Sequence, residues 1–272
     1  MRQRRFGDLG PAVSAVGQGT WPIPDREALR RGIELGMTHI DTAEMYGGGR
    51  SEEIVGEAIA PFRRDSLFLV SKVLPSNATA RGIVRACEGS LVRLRTDYLD
   101  CYLLHWRGDV PLEETMAGLE RLYEDGKIRS LGVSNLDPWD LREAAAGLSR
   151  ARISCNQVLY NLDERTPEEH ELPWARDHGC ALVAYTPLAR TPSEAARALL
   201  ERIARERHAA HAAIVLAFLL RDPLVFVIPK AGRIEHVEEN ARAGEIELSA
   251  DEIAALDSAF PRRERTGPLP MN

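Results

Sequence analysis

LFLVSKVLPSNATARGIVRACEGSLVRLRTDYLDCYLLHW, residues 67–106, is the stretch on which the fold turns. It opens with a run, 67–74, that is apolar except for Ser71 and Lys72 and stops before Pro75. Such a run reads as a strand covered on both faces. Residues 80–95 place apolar side chains at Ile83, Val84, Cys87, Leu91 and Leu94, the spacing of one helical face. A second apolar run, 98–106, follows and ends in His105-Trp106. Two strands joined through a helix pair in parallel, because the chain must cross over to return.

The same unit recurs on either side. Strand-like runs lie at 14–20, 37–43, 128–135, 154–161, 181–188 and 225–231, giving eight with the two above. Helical stretches lie at 25–36, 51–60, 112–125, 138–146, 168–178, 194–206, 211–221, 233–242 and 250–259. The first ends on Gly36, and 51–60 begins on Ser51 as an N-cap and stops before Pro61. Eight alternating units predict an α/β fold, a (β/α)8 TIM barrel, with an open doubly wound sheet as the alternative. RRFGDLGPAV (4–13) predicts an N-terminal β-hairpin, and 250–259 an additional C-terminal helix. No linker divides the chain, so residues 1–272 are expected to form a single domain.

Composition narrows the function. For 30.2 kDa, area scaling predicts a folded surface of roughly 12,000 Å², about a quarter of the unfolded value. The apolar stretch around 211–220 contains His211 and is too short to span a bilayer. MRQRRFGDLG lacks the apolar segment of a secretory signal, so a cytoplasmic protein is expected. A net charge of −6 argues against nucleic acid as a partner. Cys87, Cys101, Cys155 and Cys180 form no CxxC pair, which reads as reduced thiols and no metal site. GQGTWP (17–22) lacks the third glycine of a dinucleotide fingerprint, and GGGR (47–50) is no P-loop. His208 and His211 lack a third metal ligand. Of 35 cationic side chains only Lys72, Lys127 and Lys230 are lysine.

In a barrel of parallel strands, chemistry belongs at the carboxyl ends. There the sequence places Asp41 and, just beyond, Tyr46; Lys72 in the next strand; and His105 ending the one after. Together they make a proton-transfer site. A nearby ammonium favours the phenolate, so Lys72 is expected to lower the pKa of Tyr46, and Asp41 to keep Lys72 charged. His105 is placed to orient a substrate oxygen. No side chain here donates a hydride, so the electrons require a cofactor.

These residues sit in motifs that resemble the aldo-keto reductases along nearly the whole chain. The motifs are VGQGTW (16–21), DTAEMYGGGRSEEIVG (41–56), Lys72, LLHW (103–106), GKIRSLGVSN (126–135), NQV (156–158), AYTPL (184–188) and IPKAGRIEHVEEN (228–240). The resemblance implies NADPH-dependent reduction of aldehydes and ketones, with Tyr46 as general acid. Small dicarbonyls, aromatic aldehydes and oxo-sugars are the substrate classes implied. It implies NADP(H), in preference to NAD(H), held by Gly19, Thr20, Asp41, Ser134, Asn135, Gln157, Tyr185, Thr186, Pro187, Leu188, Pro229, Lys230, Ala231, Gly232, Arg233, His236, Glu239 and Asn240. Among these, Ser134, Asn135 and Gln157 would bind the nicotinamide carboxamide, Tyr185 would stack on the ring, and Lys230 would meet the 2′-phosphate. Substrate would lie against Trp21, Tyr46, His105 and Trp106.

The sequence departs from the family pattern in three places. Ala231 replaces a frequent hydroxyl residue, His236 a frequent arginine, and Arg107 a frequent proline. Trp139 is expected to pack rather than line the pocket. The short connection 187–196 argues against a large loop over the cofactor, and the tail 260–272 reads either as a cover for the mouth or as a solvated terminus. The partner is expected to be a small carbonyl compound, with no membrane, and the protein a monomer. A weakly catalytic, cofactor-sensing protein of the same fold is the alternative. A metal-dependent hydrolase lacks its ligands.

Overall fold

The computed structural model describes residues 1–188 and 193–271. The chain begins with a hairpin of β1 (Gln3–Arg5) and β2 (Ala12–Ser14), paired antiparallel from Gln3 opposite Ser14 to Arg5 opposite Ala12. The barrel strands follow: β3 (Gln18–Gly19), β4 (His39–Asp41), β5 (Phe68–Val73), β6 (Cys101–Leu104), β7 (Leu131–Ser134), β8 (Ile153–Leu159), β9 (Ala181–Tyr185) and β10 (Val225–Val227). They neighbour one another in sequence order, all parallel. The ring closes where Val16 bridges Val227, and the Gly17 and Gly19 amides donate to the carbonyls of Val227 (2.8 Å) and Pro229 (3.1 Å). A Cβ on Gly19 would stand 2.6 Å from the Ile228 carbonyl oxygen, so this seam needs glycine.

Around the strands lie α1 (Arg26–Glu34), α2 (Arg50–Ile59), α3 (Ala80–Leu94), α4 (Leu112–Glu124), α5 (Pro138–Ala146), α6 (Glu171–Asp177), α7 (Glu194–Glu206), α8 (His211–Leu219), α9 (Ile234–Arg242) and α10 (Ala250–Ala259). Caps fix several starts. Asp25 accepts from the Ala28 amide (2.8 Å), Thr79 from Gly82 (3.1 Å), and Ser249 forms a capping box with Glu252. Ser51 does not cap α2. That helix starts at Arg50 behind a left-handed Gly49, and the Ser51 hydroxyl donates instead to the Thr20 and Pro22 carbonyls (3.2 and 3.1 Å).

The run 14–20 is not one strand. Its first residue closes the hairpin and Gln18–Gly19 joins the barrel. The runs 98–106 and 225–231 are strands only at Cys101–Leu104 and Val225–Val227, so His105 and Lys230 lie beyond their ends. The stretch 168–178 is helical only at α6 (Glu171–Asp177), and a short 3-10 turn (Thr166–Glu168) leads into it.

The period of two along each strand builds the interior. Phe68, Val70, Cys101, Leu103, Cys155, Ala181, Val183, Phe226 and Ile228 face inward as one cluster with Phe6 from the hairpin. Phe6 plugs the floor, its ring 4.6 Å from Phe68 and 5.1 Å from Phe226. Alternate residues such as Ile40, Leu69, Tyr102 and Leu104 face the helices. The accessible surface is 12,201 Å², in line with the scaling expectation. α8 is buried nearly throughout, and among the described residues no helix is long and apolar enough to cross a membrane.

After α10 the tail leaves from buried Phe260, and Arg265 Nη1 meets the buried carboxylate of Glu171 at 2.7 Å. The tail is thus tied to the start of α6. The connection 187–196 lies partly outside the described residues.

Candidate active site

Continuing each inward column upward leads from apolar to polar side chains. On β5 it runs Phe68, Val70, Lys72; past β6, Cys101, Leu103, His105; on β8, Cys155, Gln157. The strands therefore deliver polar groups to one point at their carboxyl ends.

Lys72 sits at the centre, 0% exposed. Its Nζ donates to Asp41 Oδ1 (2.5 Å), the Thr42 carbonyl (3.0 Å) and the Tyr46 hydroxyl (3.3 Å), which engages all three protons. Burial alone would depress this ammonium's pKa; the Asp41 charge, the Tyr46 hydroxyl and the hydrogen bonds to both outweigh it, and the pKa rises. Asp41 is held in turn. Gln157 Nε2 donates to its Oδ2 at 2.7 Å across the barrel, and the Thr20 hydroxyl to its carbonyl at 3.0 Å.

Tyr46 differs from expectation. Lys72 does pull its pKa down, but burial is the larger influence and Asp41 adds to it, so the phenol titrates above its ordinary value. It stays protonated at neutral pH. His105 is buried, and burial first, then the Lys72 charge, lowers its pKa to about 3. It is a neutral imidazole. The rings of Trp21, Tyr46, His105 and Trp106 follow one another with centroids 5.2, 5.7 and 4.8 Å apart. Trp21 is 55% exposed, so this aromatic row opens to solvent at the mouth.

A second group borders the first. Ser134 donates to the Gln157 carbonyl (2.9 Å), Asn135 Nδ2 to the His105 carbonyl (3.2 Å), and the Tyr185 hydroxyl to Asn135 Oδ1 (2.9 Å). Asn135 (φ 58°) and Thr186 (φ 47°) occupy the left-handed region, which a β-branched threonine rarely enters. Asn161 Nδ2 holds the Thr186 carbonyl at 3.1 Å. Past β10, Lys230 and Arg233 are exposed cations three positions apart, and Arg233 contacts His236 Nε2. Hydrogen-bonding groups near His105, an aromatic face at Tyr185 and a separate cationic cluster fit an amide-bearing ring at one end and a phosphate at the other.

Asp41, Tyr46, Lys72, His105 and Gln157 are thus brought together, with Ser134, Asn135 and Tyr185 beside them. The segment from Lys230 to Asn240 runs from beyond β10 through most of α9 (Ile234–Arg242). Trp139 is not packed. It stands 70% exposed in the first turn of α5, because a helix following a strand end begins at the rim. Arg107 is pinned by Asp140 and by Glu143 (2.8 Å) of the same helix, which replaces the stiffness of a proline. Sequence reasoning missed the Gln157–Asp41 bond, whose partners are far apart in the chain. It also missed Glu44, although that residue lies inside DTAEMY.

Comparison with known proteins identifies the family. The Aldo/keto reductase family model matches residues 14–260. The methylglyoxal reductase YeaE of Escherichia coli K12 is 45% identical, over 94% of this chain and 93% of its own. A glyoxal reductase of Bacillus subtilis is 34% identical, over 90% of this chain and 86% of its own. The crystal structure of an aldo/keto reductase from Klebsiella pneumoniae with NADP and acetate superposes with a TM-score of 0.91 at 43% identity, covering 100% of both chains.

Proposed function

The chain belongs to the aldo/keto reductase family, and from that premise we propose that it reduces small 2-oxoaldehydes such as methylglyoxal and glyoxal with NADPH. It is an NADPH-dependent oxidoreductase acting on small carbonyl compounds. The observation that carries the assignment of roles is the position of Lys72 Nζ, bonded at once to Asp41 and to the Tyr46 hydroxyl.

NADPH, when bound, supplies a hydride to the carbonyl carbon. Tyr46 gives its proton to the carbonyl oxygen, and the ammonium of Lys72 compensates the charge left on the phenolate. Asp41, held from its other side by Gln157, keeps Lys72 charged. Neutral His105 donates an N–H to the carbonyl oxygen and so fixes its direction. Trp21 and Trp106 flank the reacting oxygen as apolar walls. Ser134, Asn135 and Gln157 would hold the carboxamide, Tyr185 the face of the ring, and Thr186, Pro187 and Leu188 the pyrophosphate. Lys230, with Arg233 and His236, would meet the 2′-phosphate, and Glu239 and Asn240 the adenine. Gly19, Thr20, Pro229, Ala231 and Gly232 would line the same channel.

The test is NADPH oxidation by purified protein with a panel of 2-oxoaldehydes, aromatic aldehydes and oxo-sugars. Turnover fastest with the 2-oxoaldehydes supports the reading; no turnover with any of them overturns it. The same reading makes the protein a cytoplasmic, monomeric enzyme of one domain. Its four cysteines are buried thiols, as a reducing compartment keeps them. Elution in gel filtration at 30.2 kDa checks the oligomeric state.

A further inference from the structure

We propose that Glu44 is a positioning residue for the proton donor: its carboxylate fastens the loop that carries Tyr46 to the end of the strand that carries Lys72. The inference rests on the reading of Tyr46 as the general acid.

The loop needs a fastening. Tyr46 is followed by Gly47, Gly48 and Gly49 at φ 58°, 62° and 94°, three left-handed residues in succession. Glycine in such a run is the residue with the most conformational freedom to lose. Gly47 and Gly49 lie against the Ile23 and Arg93 side chains, whereas a Cβ on Gly48 would meet nothing within 4 Å among the described residues, so the loop is packed downstream of Tyr46 but open at its tip. Downstream, Ser51 is tied to the Thr20 and Pro22 carbonyls. Upstream, two residues before Tyr46, Glu44 Oε1 accepts from the Leu74 amide (2.7 Å) and from Asn77 Nδ2 (3.0 Å). The Glu44 amide also donates to the Lys72 carbonyl at 3.3 Å. One residue therefore grips the strand end just past Lys72 from the loop side, through its side chain and its backbone.

The distance so controlled is the one that matters. Tyr46 hydroxyl to Lys72 Nζ is 3.3 Å, already long for a hydrogen bond. Lys72 cannot follow the tyrosine outward, because Asp41 and the Thr42 carbonyl hold it. If the loop relaxes, the hydroxyl leaves the ammonium, the phenolate loses its stabilisation, and the pKa of Tyr46 climbs further. Simply deleting the Glu44 charge would act in the opposite direction, because a nearby anion disfavours the phenolate. The direction of the shift therefore separates geometry from charge.

The experiment compares Glu44→Ala, Glu44→Gln and Asn77→Ala with the parent and with Tyr46→Phe. It measures kcat and KM for methylglyoxal, NADPH affinity by fluorescence quenching, melting temperature, and the pH profile of alcohol oxidation with NADP+, in which the Tyr46 phenolate is the base. Glu44→Ala is expected to lower kcat on the order of 10- to 100-fold, as a small misplacement does. NADPH affinity should hold and the rising limb of the oxidation profile should move to higher pH. Glu44→Gln, whose amide oxygen can accept the same two bonds, should restore kcat and return the limb to the parent's pH or slightly below it, since only the charge is lost. Asn77→Ala should move the limb the same way by less, and it serves if Glu44→Ala does not fold. An unmoved or downward-shifted limb in Glu44→Ala, or a glutamine variant that behaves like alanine, overturns the proposal. So does a loss of kcat matched by equal losses of cofactor affinity and melting temperature. Failure of the underlying reading looks different: Tyr46→Phe would then keep its turnover whatever Glu44 does.

Discussion

His39 and His105 are both buried imidazoles, both with pKa values lowered to about 3 by burial and then by the Lys72 charge, and they occupy opposite ends of one barrel. Around His39 the floor is made of rings. Phe6, Phe68 and Phe226 stand 5.8, 5.4 and 6.3 Å away, and among the described residues neither ring nitrogen has a hydrogen-bond partner, nor does His105 Nδ1. Around His105 the mouth is made of polar groups bonded to one another, with left-handed Asn135 and Thr186 beside them. The same low pKa thus accompanies a sealed, apolar end and an open, strained one. On the proposed reading, the floor serves stability and the mouth serves the reaction.

That division can be broken most severely at Tyr46. Tyr46→Phe removes the proposed acid, and kcat should fall by roughly 10²- to 10⁴-fold, with NADPH affinity and the melting curve nearly unchanged. Steady-state kinetics, fluorescence titration and thermal melting check this together. At the other end, Phe6→Ala should cost about 3–5 kcal/mol of stability while the folded fraction keeps its kcat. A denaturant titration beside an activity assay reads both. Loss of kcat without loss of stability in Phe6→Ala would erase the distinction between the two ends.

Acid sharpens the comparison further. An unfolded histidine titrates near 6.5 and folded His39 at about 3. Above 6.5 neither state takes up the proton and the contribution to stability is fully present. Between 6.5 and 3 the unfolded chain binds a proton that the fold refuses, so stability falls as pH falls, by up to about 1.4 kcal/mol per pH unit for each such histidine. His39→Leu should flatten this slope and leave kcat alone, whereas a substitution at His105 should flatten it and lower kcat. Urea unfolding at several pH values gives the slopes. The smallest effect belongs to the rim. Arg107→Ala removes half-exposed ion pairs to Asp140 and Glu143, and should cost about 0–1 kcal/mol with little change in turnover.

The helices were legible almost to the residue, because capping and the 3.6-residue stripe are local: 138–146, 194–206 and 250–259 coincide with α5, α7 and α10. Strand ends were less so. The apolar run 14–20 conceals a change of partner, from the hairpin to the barrel seam, that no periodicity records. Asp41, Tyr46, Lys72 and His105 could be picked out because polar residues within, ending or just beyond apolar runs stand out. The bond from Gln157 to Asp41 could not, since it joins side chains 116 positions apart that meet only when the ring closes. Nor could the rise in the pKa of Tyr46, which depends on how deeply the loop buries a phenol beside its ammonium. Trp139 was misplaced for a related reason: an aromatic residue early in a helix packs or protrudes according to which end of the barrel that helix starts from.

The saturation of Lys72 has a further consequence for an enzyme whose substrates are electrophiles. Aldehydes condense with amines through the nitrogen lone pair. With its pKa raised, no exposed surface and all three protons engaged, Lys72 offers no lone pair at neutral pH. The amine of the proposed site is therefore chemically silent toward a carbonyl bound there, so that a reactive aldehyde can be held without forming a Schiff base with Lys72.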